Sequence, residues 1–253
     1  MRRALMSLRL AALIVVTAVL YAVRCLGMPL RSRAPRAARA WRDLVMGWWA
    51  HAVTRLIGLR PSVCGPLPKP PFVLVTNHLG YVDIFLLARY LSGVFVAKAD
   101  LARWPLAGGI IASMDTIFVE RERKRDVVRV NACIAQALDD GEGVILFPEG
   151  TSSAGDQVLP LMPSLLSVPA SRETPVWYAG IRYETPAGEA PPGEVVSWWG
   201  DDEFVPHLLR LLQVPHFVAR LRFAEHPILG NDRKKLAGEL HAGISAQCAA
   251  QPT

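Results

Sequence analysis

Two patterns of apolar and polar positions divide this chain near residue 70. A continuous apolar stretch runs from Leu10 to Val23, fourteen residues bounded by Arg9 and Arg24, and it predicts a helix. Residues 41–59 then repeat tryptophan, leucine and valine at helical spacing, which predicts a second, amphipathic helix whose apolar stripe faces either the protein core or a membrane. The first part of the chain is therefore predicted to be helical throughout.

A proline-rich segment, residues 65–71, is followed by short β-rich runs that alternate with helical patterns. These patterns predict strands over residues 72–76, 94–98, 116–120, 143–147, 176–183 and 217–224, and helices over residues 83–91, 125–138 and 232–247, with another helix interrupted at Pro105. Such alternation is typical of parallel sheets. We therefore predict an α/β fold with a mixed, largely parallel sheet flanked by helices.

Charge is distributed unevenly between these two parts. Residues 1–60 contain eleven arginines and one acid, Asp43, for a net charge of +10, whereas the remainder carries −4. The arginines are interleaved with apolar residues and tryptophan rather than with exposed stacking aromatics, which favours a membrane surface over nucleic acid. We therefore predict that residues 1–64 form a membrane-binding helical arm and that residues 65–253 form the main domain.

The mode of membrane association stays open on the sequence alone. The apolar core is shorter than the roughly 20 residues of a perpendicular span, so it either spans with help from snorkelling arginines or lies in one leaflet. A cleaved signal peptide fits the first residues, but Arg24 and the basic run after it fit that interpretation poorly. The cysteines are scattered, without the spacing of a metal site or a disulfide framework.

The segment TNHLGYVD, residues 76–83, places a histidine and an aspartate five positions apart after a predicted buried strand. Helical positions i and i+5 lie roughly 140° apart, so His78 must precede the helix while Asp83 stands in or beside its first turn. There Asp83 can orient the His78 ring, and the ring can act as a general base. Asp83 can equally cap the helix and His78 can be structural, and both interpretations stay open at this point.

These residues also carry a resemblance to a known family. NHLGYVD matches the NHxxxxD box of glycerolipid acyltransferases of the lysophosphatidic-acid acyltransferase type, and FPEGTSS, residues 147–153, matches their FPEGTxS box. DTIFVER, residues 115–121, is similar to a third element of that family. The resemblance extends over residues 70–185 and identifies residues 65–253 as an acyltransferase domain.

The resemblance implies transfer of a fatty acyl group from acyl-carrier protein or acyl-CoA to the free hydroxyl of a lysolipid, with no other cofactor and no metal. His78 would remove the hydroxyl proton and Asp83 would orient the ring. The implied substrate-binding residues are Lys98, Arg121, Glu149, Gly150, Thr151 and Ser152. Backbone N–H groups of Gly150 and Thr151 are the expected oxyanion donors, and Lys98 and Arg121 the expected contacts of acidic headgroups or donor phosphates.

Three positions depart from the family pattern. Ser152 stands where many phosphatidate-forming members have arginine, Leu161 and Met162 where a basic residue is common, and Tyr178 where a second proline is usual. The first expectation is 1-acyl-sn-glycerol-3-phosphate as acceptor, giving phosphatidic acid. FPEGTSSAGDQVLP and VSWWGDDEFVPHLLRLL resemble the lyso-ornithine lipid acyltransferase subgroup, so lyso-ornithine lipid is the alternative, with an ammonium group against Asp201, Asp202 or Glu203.

Two other functional classes would leave different signatures in the sequence. A serine hydrolase would require GxSxG, but GTSSAG has Ala154 at the second glycine position. A non-catalytic, membrane-binding role would explain the basic arm, and this interpretation predicts that His78→Ala leaves every measurable property of the protein unchanged. The expected partners are membrane lipid and acyl-carrier protein or acyl-CoA, without nucleic acid, and the expected location is the bacterial inner membrane with the active site facing the cytoplasm.

Overall fold

A computed structural model describes residues 2–105, 107–120 and 124–250. The helices are α1 (Arg2–Leu26), α2 (Leu30–Arg33), α3 (Pro35–Leu56), α4 (Tyr81–Ala88), α5 (Ala107–Ser113), α6 (Lys124–Asp139), α7 (Ser167–Ser171), α8 (Pro192–Val195), α9 (Phe204–Leu211) and α10 (Arg233–Ala249). The strands are β1 (Leu59–Cys64), β2 (Phe72–Thr76), β3 (Val94–Lys98), β4 (Ile117–Val119), β5 (Gly143–Leu146), β6 (Val176–Glu184) and β7 (Phe217–Phe223). Residues Ala99–Arg103 and Pro163–Leu166 form short 3-10 segments.

In the described part of the chain, seven strands form one sheet in the order β1-β7-β6-β2-β5-β3-β4. Only β6 and β7 run antiparallel to each other, and the other neighbouring strands are parallel. The predicted mixed, largely parallel sheet flanked by helices is therefore confirmed. The interruption at Pro105 is also present, because a 3-10 segment ends before it and α5 begins after it.

Apolar layers cover both faces of the sheet. Leu74 and Ile145 belong to a cluster that packs beneath α3, α4 and α9, whereas Val75 and Leu146 belong to a cluster beneath α6 and α10. Strands β2 and β5 are buried along their whole length, which explains why they are continuous apolar runs rather than alternating ones. The carboxyl ends of these central strands carry the polar loops.

The first two long helices form an antiparallel pair that is fastened to the sheet. The indole of Trp41 donates to the carbonyl of Val23, and that of Trp49 donates to the hydroxyl of Thr17. The Arg9 guanidinium donates to three carbonyls that precede β7, those of Leu212, Val214 and Pro215. The basic arm is therefore packed on the domain rather than tethered to it.

The end of α3 differs from the sequence prediction. The helical spacing predicted a stripe that continued to Leu59, but α3 ends at Leu56 and Gly58 turns the chain with a φ of +80°. Residues Leu59–Cys64, assigned from sequence to the arm, form β1 at the edge of the sheet, paired parallel with β7. Their partner strand lies more than 150 residues later, so no local pattern revealed the pairing.

Candidate active site

The histidine and aspartate of the NHLGYVD segment meet at the carboxyl end of β2. His78 lies in the loop after the strand, and Asp83 lies in the first turn of α4. His78 Nδ1 is 2.8 Å from Asp83 Oδ2. Gly80 makes this approach possible, because its φ is +144° and a side chain there would collide with the backbone of Trp198.

Asp83 is fully buried and accepts hydrogen bonds on both oxygens. Besides the His78 contact, Oδ2 accepts from the backbone N–H of Leu79 (2.6 Å) and of Gly80 (3.0 Å). Oδ1 accepts from the hydroxyl of Tyr183 at 2.6 Å. The two sequence interpretations of Asp83 therefore describe one geometry, in which the same carboxylate caps α4 and holds the histidine.

The acceptor role of Asp83 fixes the orientation of the imidazole. An ionised carboxylate only accepts hydrogen bonds, so Nδ1 of His78 is the donor and Nε2 is left as the basic nitrogen. The ring stacks on Phe147 with a centroid distance of 4.2 Å and an interplanar angle of 26°. About a fifth of the His78 side chain (21%) stays exposed, so the ring is held in place while it remains accessible.

Glu149, predicted to bind substrate, is engaged by the protein's own backbone. Its Oε2 accepts from the N–H of His78 at 3.3 Å, and its Oε1 accepts from the N–H of Leu159 at 3.1 Å. Burial raises the pKa of Glu149 to about 7, although the two backbone donors act to lower it. The side chain thus fastens the FPEGTSS loop to the histidine loop.

The next three residues of that loop differ in their surroundings. Gly150 adopts a φ of +78°, and its N–H donates to the carbonyl of Phe147, so that donor is used by the turn. Thr151 is exposed. The Ser152 hydroxyl donates to the carbonyl of Trp198 at 2.6 Å, which is not the arrangement of an activated serine nucleophile. Of the two predicted oxyanion donors, Gly150 is therefore already engaged, and Thr151 remains the candidate.

The structure describes the side chain of one of the two predicted cations. Lys98 is exposed at the end of β3, and the side chain of Arg121 lies outside the described residues. Asp202, one predicted contact for an ammonium group, pairs instead with Arg210, while Asp201 and Glu203 are exposed.

Two buried residues that the sequence analysis did not single out support the dyad. The Asn77 amide accepts from the N–H of Ile181 at 2.8 Å and donates to its carbonyl at 2.9 Å, which locks the histidine loop to β6. Tyr183, two residues further along β6, supplies the hydroxyl that reaches Asp83. Asn77 belongs to the NHxxxxD box, but nothing in the sequence around Tyr183 pointed to a role one hundred residues from its partner.

An apolar cavity of about 290 Å³ opens beside His78. Its rim includes a packed aromatic cluster of Tyr81, Trp104, Trp198 and Phe204, with ring centroids between 5.1 and 6.0 Å apart. Its walls are mainly aliphatic and aromatic side chains, and the arm contributes Thr17, Arg42, Asp43, Met46 and Trp49 to them. The cavity is therefore built jointly by the arm and the main domain.

Arg42 is one of two charged residues, with Asp43, that the arm contributes to the lining of this cavity. Its side chain is almost completely buried and donates to Asp43, to Asp115 at 3.0 Å and to Glu142. Three carboxylates around one guanidinium satisfy a charge that would otherwise be costly to bury. A lipid chain in the cavity would therefore meet a fixed polar boundary there.

Comparison with known proteins places this chain in a family. The family model described as Acyltransferase matches residues 60–178. The lyso-ornithine lipid O-acyltransferase of Brucella abortus (strain 2308) is 31% identical over 244 residues, which cover 91% of this chain and 91% of that protein. The chain belongs to the acyltransferase family of the lysophosphatidic-acid acyltransferase type. It is an O-acyltransferase.

One further relative supports the assignment, and one solved structure shares the fold. The lyso-ornithine lipid O-acyltransferase of Rhizobium meliloti (strain 1021) is 36% identical over 184 residues, which cover 65% of this chain and 60% of that protein. The crystal structure of the 1-acyl-sn-glycerophosphate (LPA) acyltransferase PlsC from Thermotoga maritima superposes with a TM-score of 0.67 over both complete chains at 19% identity, which shows a shared fold. Residues His78, Asp83 and Glu149 lie inside the matched region, whereas Tyr183 lies beyond it.

Proposed function

We propose that this acyltransferase esterifies the free hydroxyl of lyso-ornithine lipid with a fatty acyl group from a thioester donor. The observation that carries the reaction class is the His78–Asp83 pair at 2.8 Å, with its ring edge beside an apolar cavity. A general base next to a space for an acyl chain suits direct attack of an acceptor hydroxyl on a thioester. No covalent enzyme intermediate is needed for that reaction.

In the proposed mechanism, Nε2 of His78 takes the proton as the acceptor oxygen attacks the thioester carbonyl. Asp83 stabilises the imidazolium that forms, and Tyr183 together with the backbone N–H groups holds the carboxylate in place. Collapse of the tetrahedral intermediate breaks the carbon–sulfur bond, and the imidazolium returns its proton to the departing thiolate. The products are an ester and a free thiol.

The cavity beside His78 is the proposed site of the donor's acyl chain. Its lining is almost entirely apolar, and burial there gains about 0.8 kcal/mol for each methylene group removed from water. The aromatic cluster at the rim would hold the carbon chain close to the thioester. The fixed Arg42 cluster would limit how far the chain extends.

The proposed acceptor follows from the departures in the FPEGTSS loop and from the relatives. Ser152 is tied to the carbonyl of Trp198, Leu161 is buried, and Met162 is partly buried, so none of these positions offers a cation to a phosphate. The Brucella and Rhizobium relatives are both named lyso-ornithine lipid O-acyltransferases. An ornithine headgroup carries an ammonium group and no phosphate, which suits the exposed acids Asp201 and Glu203.

The arm is proposed to lie along the membrane surface. Among the described residues, Arg2–Arg33 is the helical stretch long and apolar enough to cross a bilayer, and 11% of its most apolar part is buried. However, one face of α1 packs on the sheet core through Met6 and Leu10, and the other face exposes an apolar stripe. The exposed apolar side chains of α1 are Leu8, Ile14, Val15 and Val19, and Leu44 and Trp48 are exposed on α3. A helix with one protein-facing and one lipid-facing side suits the interface better than a span.

The remaining assignments are also proposals. The donor is acyl-CoA or acyl-carrier protein, and no other cofactor or metal is expected. The location is the bacterial inner membrane with the active site facing the cytoplasm, because an arginine-rich arm gains about 1 kcal/mol per charge near the anionic cytoplasmic leaflet.

The test uses the purified full-length enzyme in lipid vesicles with a radiolabelled acyl thioester. Lyso-ornithine lipid and lysophosphatidic acid are offered in parallel to the wild type, to His78→Ala and to the matched control His226→Ala, whose side chain is exposed. We expect acylation of lyso-ornithine lipid, a loss of about 10² to 10⁴ in rate for His78→Ala, and an unchanged control.

Two results would count against parts of the proposal. If His78→Ala acylates as fast as the wild type, the proposed general base is wrong. If only lysophosphatidic acid is acylated, and the reaction depends on His78, then the reaction class stands and the proposed acceptor is replaced by 1-acyl-sn-glycerol-3-phosphate.

A further inference from the structure

The open face of strands β1, β7 and β6 carries a cluster of arginines that the proposed reaction does not use. Residues alternate along β7, with Phe217, Ala219 and Leu221 buried and Arg220 and Arg222 directed to the other face. Arg182 of β6 and Arg60 of β1 stand on that same face by the register of the sheet. We call these four arginines the basic face.

The basic face is not neutralised within the described part of the chain. Arg220 forms a bidentate pair with Glu184, at 2.6 and 2.9 Å. No described carboxylate lies within salt-bridge distance of Arg182 or Arg222. Arg182 also stands directly opposite Arg220 in the register, and like charges in that position destabilise a sheet. The positive charges of Arg182 and Arg222 are therefore available to an external anion.

A groove of about 440 Å³ runs across this face. Ser62, Arg182, Glu184, Arg220, Arg222 and Gln247 line it, so it is bounded by the edge strand on one side and by the end of α10 on the other. Ser62 and Cys64 on the edge strand are exposed. The groove is thus a concave, positively charged surface that is open to solvent.

The basic face points away from the proposed membrane surface. Helix α1 packs against the apolar cluster that contains Ala219 and Leu221, which is the opposite side of β7 from Arg220 and Arg222. A surface on the far side of the sheet from the lipid-facing helices faces water. Its anionic occupant is therefore better sought among soluble molecules than among lipid headgroups.

The basic face is nevertheless close to the catalytic loop in the fold. Arg182 directly follows Ile181, whose backbone is held on both sides by the Asn77 amide, and Asn77 directly precedes His78. A soluble anionic molecule bound at Arg182 would lie near the site where the thioester reacts.

We infer that the basic face docks an acidic carrier protein that presents the acyl thioester on a phosphopantetheine arm. This inference rests on the proposed function, because it names the donor of that reaction. Opposite charge on the two surfaces would speed encounter and orient the carrier so that its flexible arm reaches His78. The interaction would weaken as salt is added, since the arginines concerned are partly or fully exposed.

The test compares donors on the full-length enzyme in vesicles. The variant Arg182→Glu/Arg222→Glu reverses two charges on the basic face. The matched control Lys234→Glu/Lys235→Glu makes the same change in net charge at the other end of α10, where acidic residues suit the start of a helix. Arg182→Gln/Arg222→Gln serves as a milder second variant, and thermal unfolding establishes that each variant is folded.

We expect the KM for acyl-carrier protein to rise about tenfold or more at low salt in the Glu variant, with kcat and the KM for acyl-CoA nearly unchanged. The control should behave as the wild type. An equal rise in the KM for acyl-CoA would mean that the basic face binds the phosphate shared by both donors, and this result would overturn carrier docking. Unchanged kinetics with both donors, or a specific loss of vesicle binding, would also overturn it.

A direct binding measurement separates this inference from the proposed reaction. Fluorescence anisotropy with the phosphopantetheinylated carrier protein, free of any acyl group, needs no turnover. Salt-sensitive binding that the Glu variant loses would support docking even if the wild type transferred no acyl group to any lysolipid. Absence of such binding by an active wild-type enzyme would refute docking and leave the acyltransferase proposal intact.

Discussion

Glu149 provides a pH-dependent test of how the two active-site loops are joined. Burial raises the pKa of its carboxyl to about 7, against 4.5 for the ordinary value. The native state therefore holds this proton more tightly than the unfolded state does. Protonation of Glu149 therefore stabilises the native state fully below about pH 4.5. This contribution to the free energy of unfolding falls as the pH rises from about 4.5 to about 7, and above pH 7 it is lost.

The size of the effect follows from the two pKa values. Their difference corresponds to at most about 3 kcal/mol of unfolding free energy. Glu149→Gln removes the titration, so the stability of the variant relative to that of the wild type should increase as the pH rises from 5 to 8. For a chain of this length, a gain of that size is about 6 to 12 °C in Tm at its upper limit. The amide of this variant has a single acceptor oxygen and cannot accept from both backbone donors, which adds a constant, pH-independent penalty of about 1 to 3 kcal/mol.

The assay is thermal unfolding of both proteins in a mild detergent at several pH values. Glu184→Gln is the control, because the hydrogen bond from Arg220 lowers the pKa of Glu184 and keeps that carboxylate ionised throughout this range. Its Tm difference from the wild type should not change with pH. A Tm difference for Glu149→Gln that is also flat, or that grows more unfavourable toward pH 8, would show that the backbone donors outweigh burial and that the reasoning is wrong.

Three other predictions concern the dyad, the cavity and the arm. Tyr183→Phe leaves Asp83 Oδ1 buried without its hydrogen-bond donor, so kcat should fall about five- to 150-fold with little change in KM. The control Tyr90→Phe should leave both constants unchanged. Steady-state kinetics on vesicles measures both variants, and an unaffected kcat for Tyr183→Phe would exclude a positioning role for this residue. Ala97→Leu narrows the cavity, so the acyl-chain length that gives the highest kcat/KM should become shorter, and each excluded methylene group should lower kcat/KM about fourfold. Kinetics with donors of graded chain length measures this, and an unchanged preferred length would place the acyl chain elsewhere. Removal of residues 2–33 deletes Thr17 and the Arg9 anchor, so activity should be lost even with a detergent-solubilised acceptor. If the truncated protein still acylates that soluble acceptor, the arm serves only to deliver the enzyme to the membrane.

The parts of the fold that follow from local pattern were predictable, and those that depend on distant pairing were not. The central strands are buried on both faces, so their apolar runs are unbroken and their positions are clear from sequence. Strand β1 is short, amphipathic and begins soon after α3 ends, so the helical spacing of α3 concealed it. The strand with which it pairs, β7, lies at the far end of the chain.

The candidate site divides in the same way. His78 and Asp83 carry a spacing that excludes a shared helix face, and that fact placed one residue in the loop and the other in the first turn. Tyr183 could not be found, because its role depends on the register of β6 beside β2. Glu149 was expected to meet substrate, and only the structure reveals that two backbone N–H groups already occupy its oxygens.

A single oxygen atom, Asp83 Oδ2, receives the His78 ring and the N–H groups of Leu79 and Gly80. Chemistry and local folding are therefore joined in one functional group, and substitution cannot separate them. An inactive Asp83→Asn or Asp83→Ala protein would report a displaced helix start as readily as a lost electrostatic partner. Changes at Tyr183, which touches only the other oxygen, perturb the carboxylate while leaving the cap of α4 in place. Substitution of Tyr183, rather than of Asp83, is thus the way to measure how much the carboxylate contributes to catalysis apart from its role in capping α4.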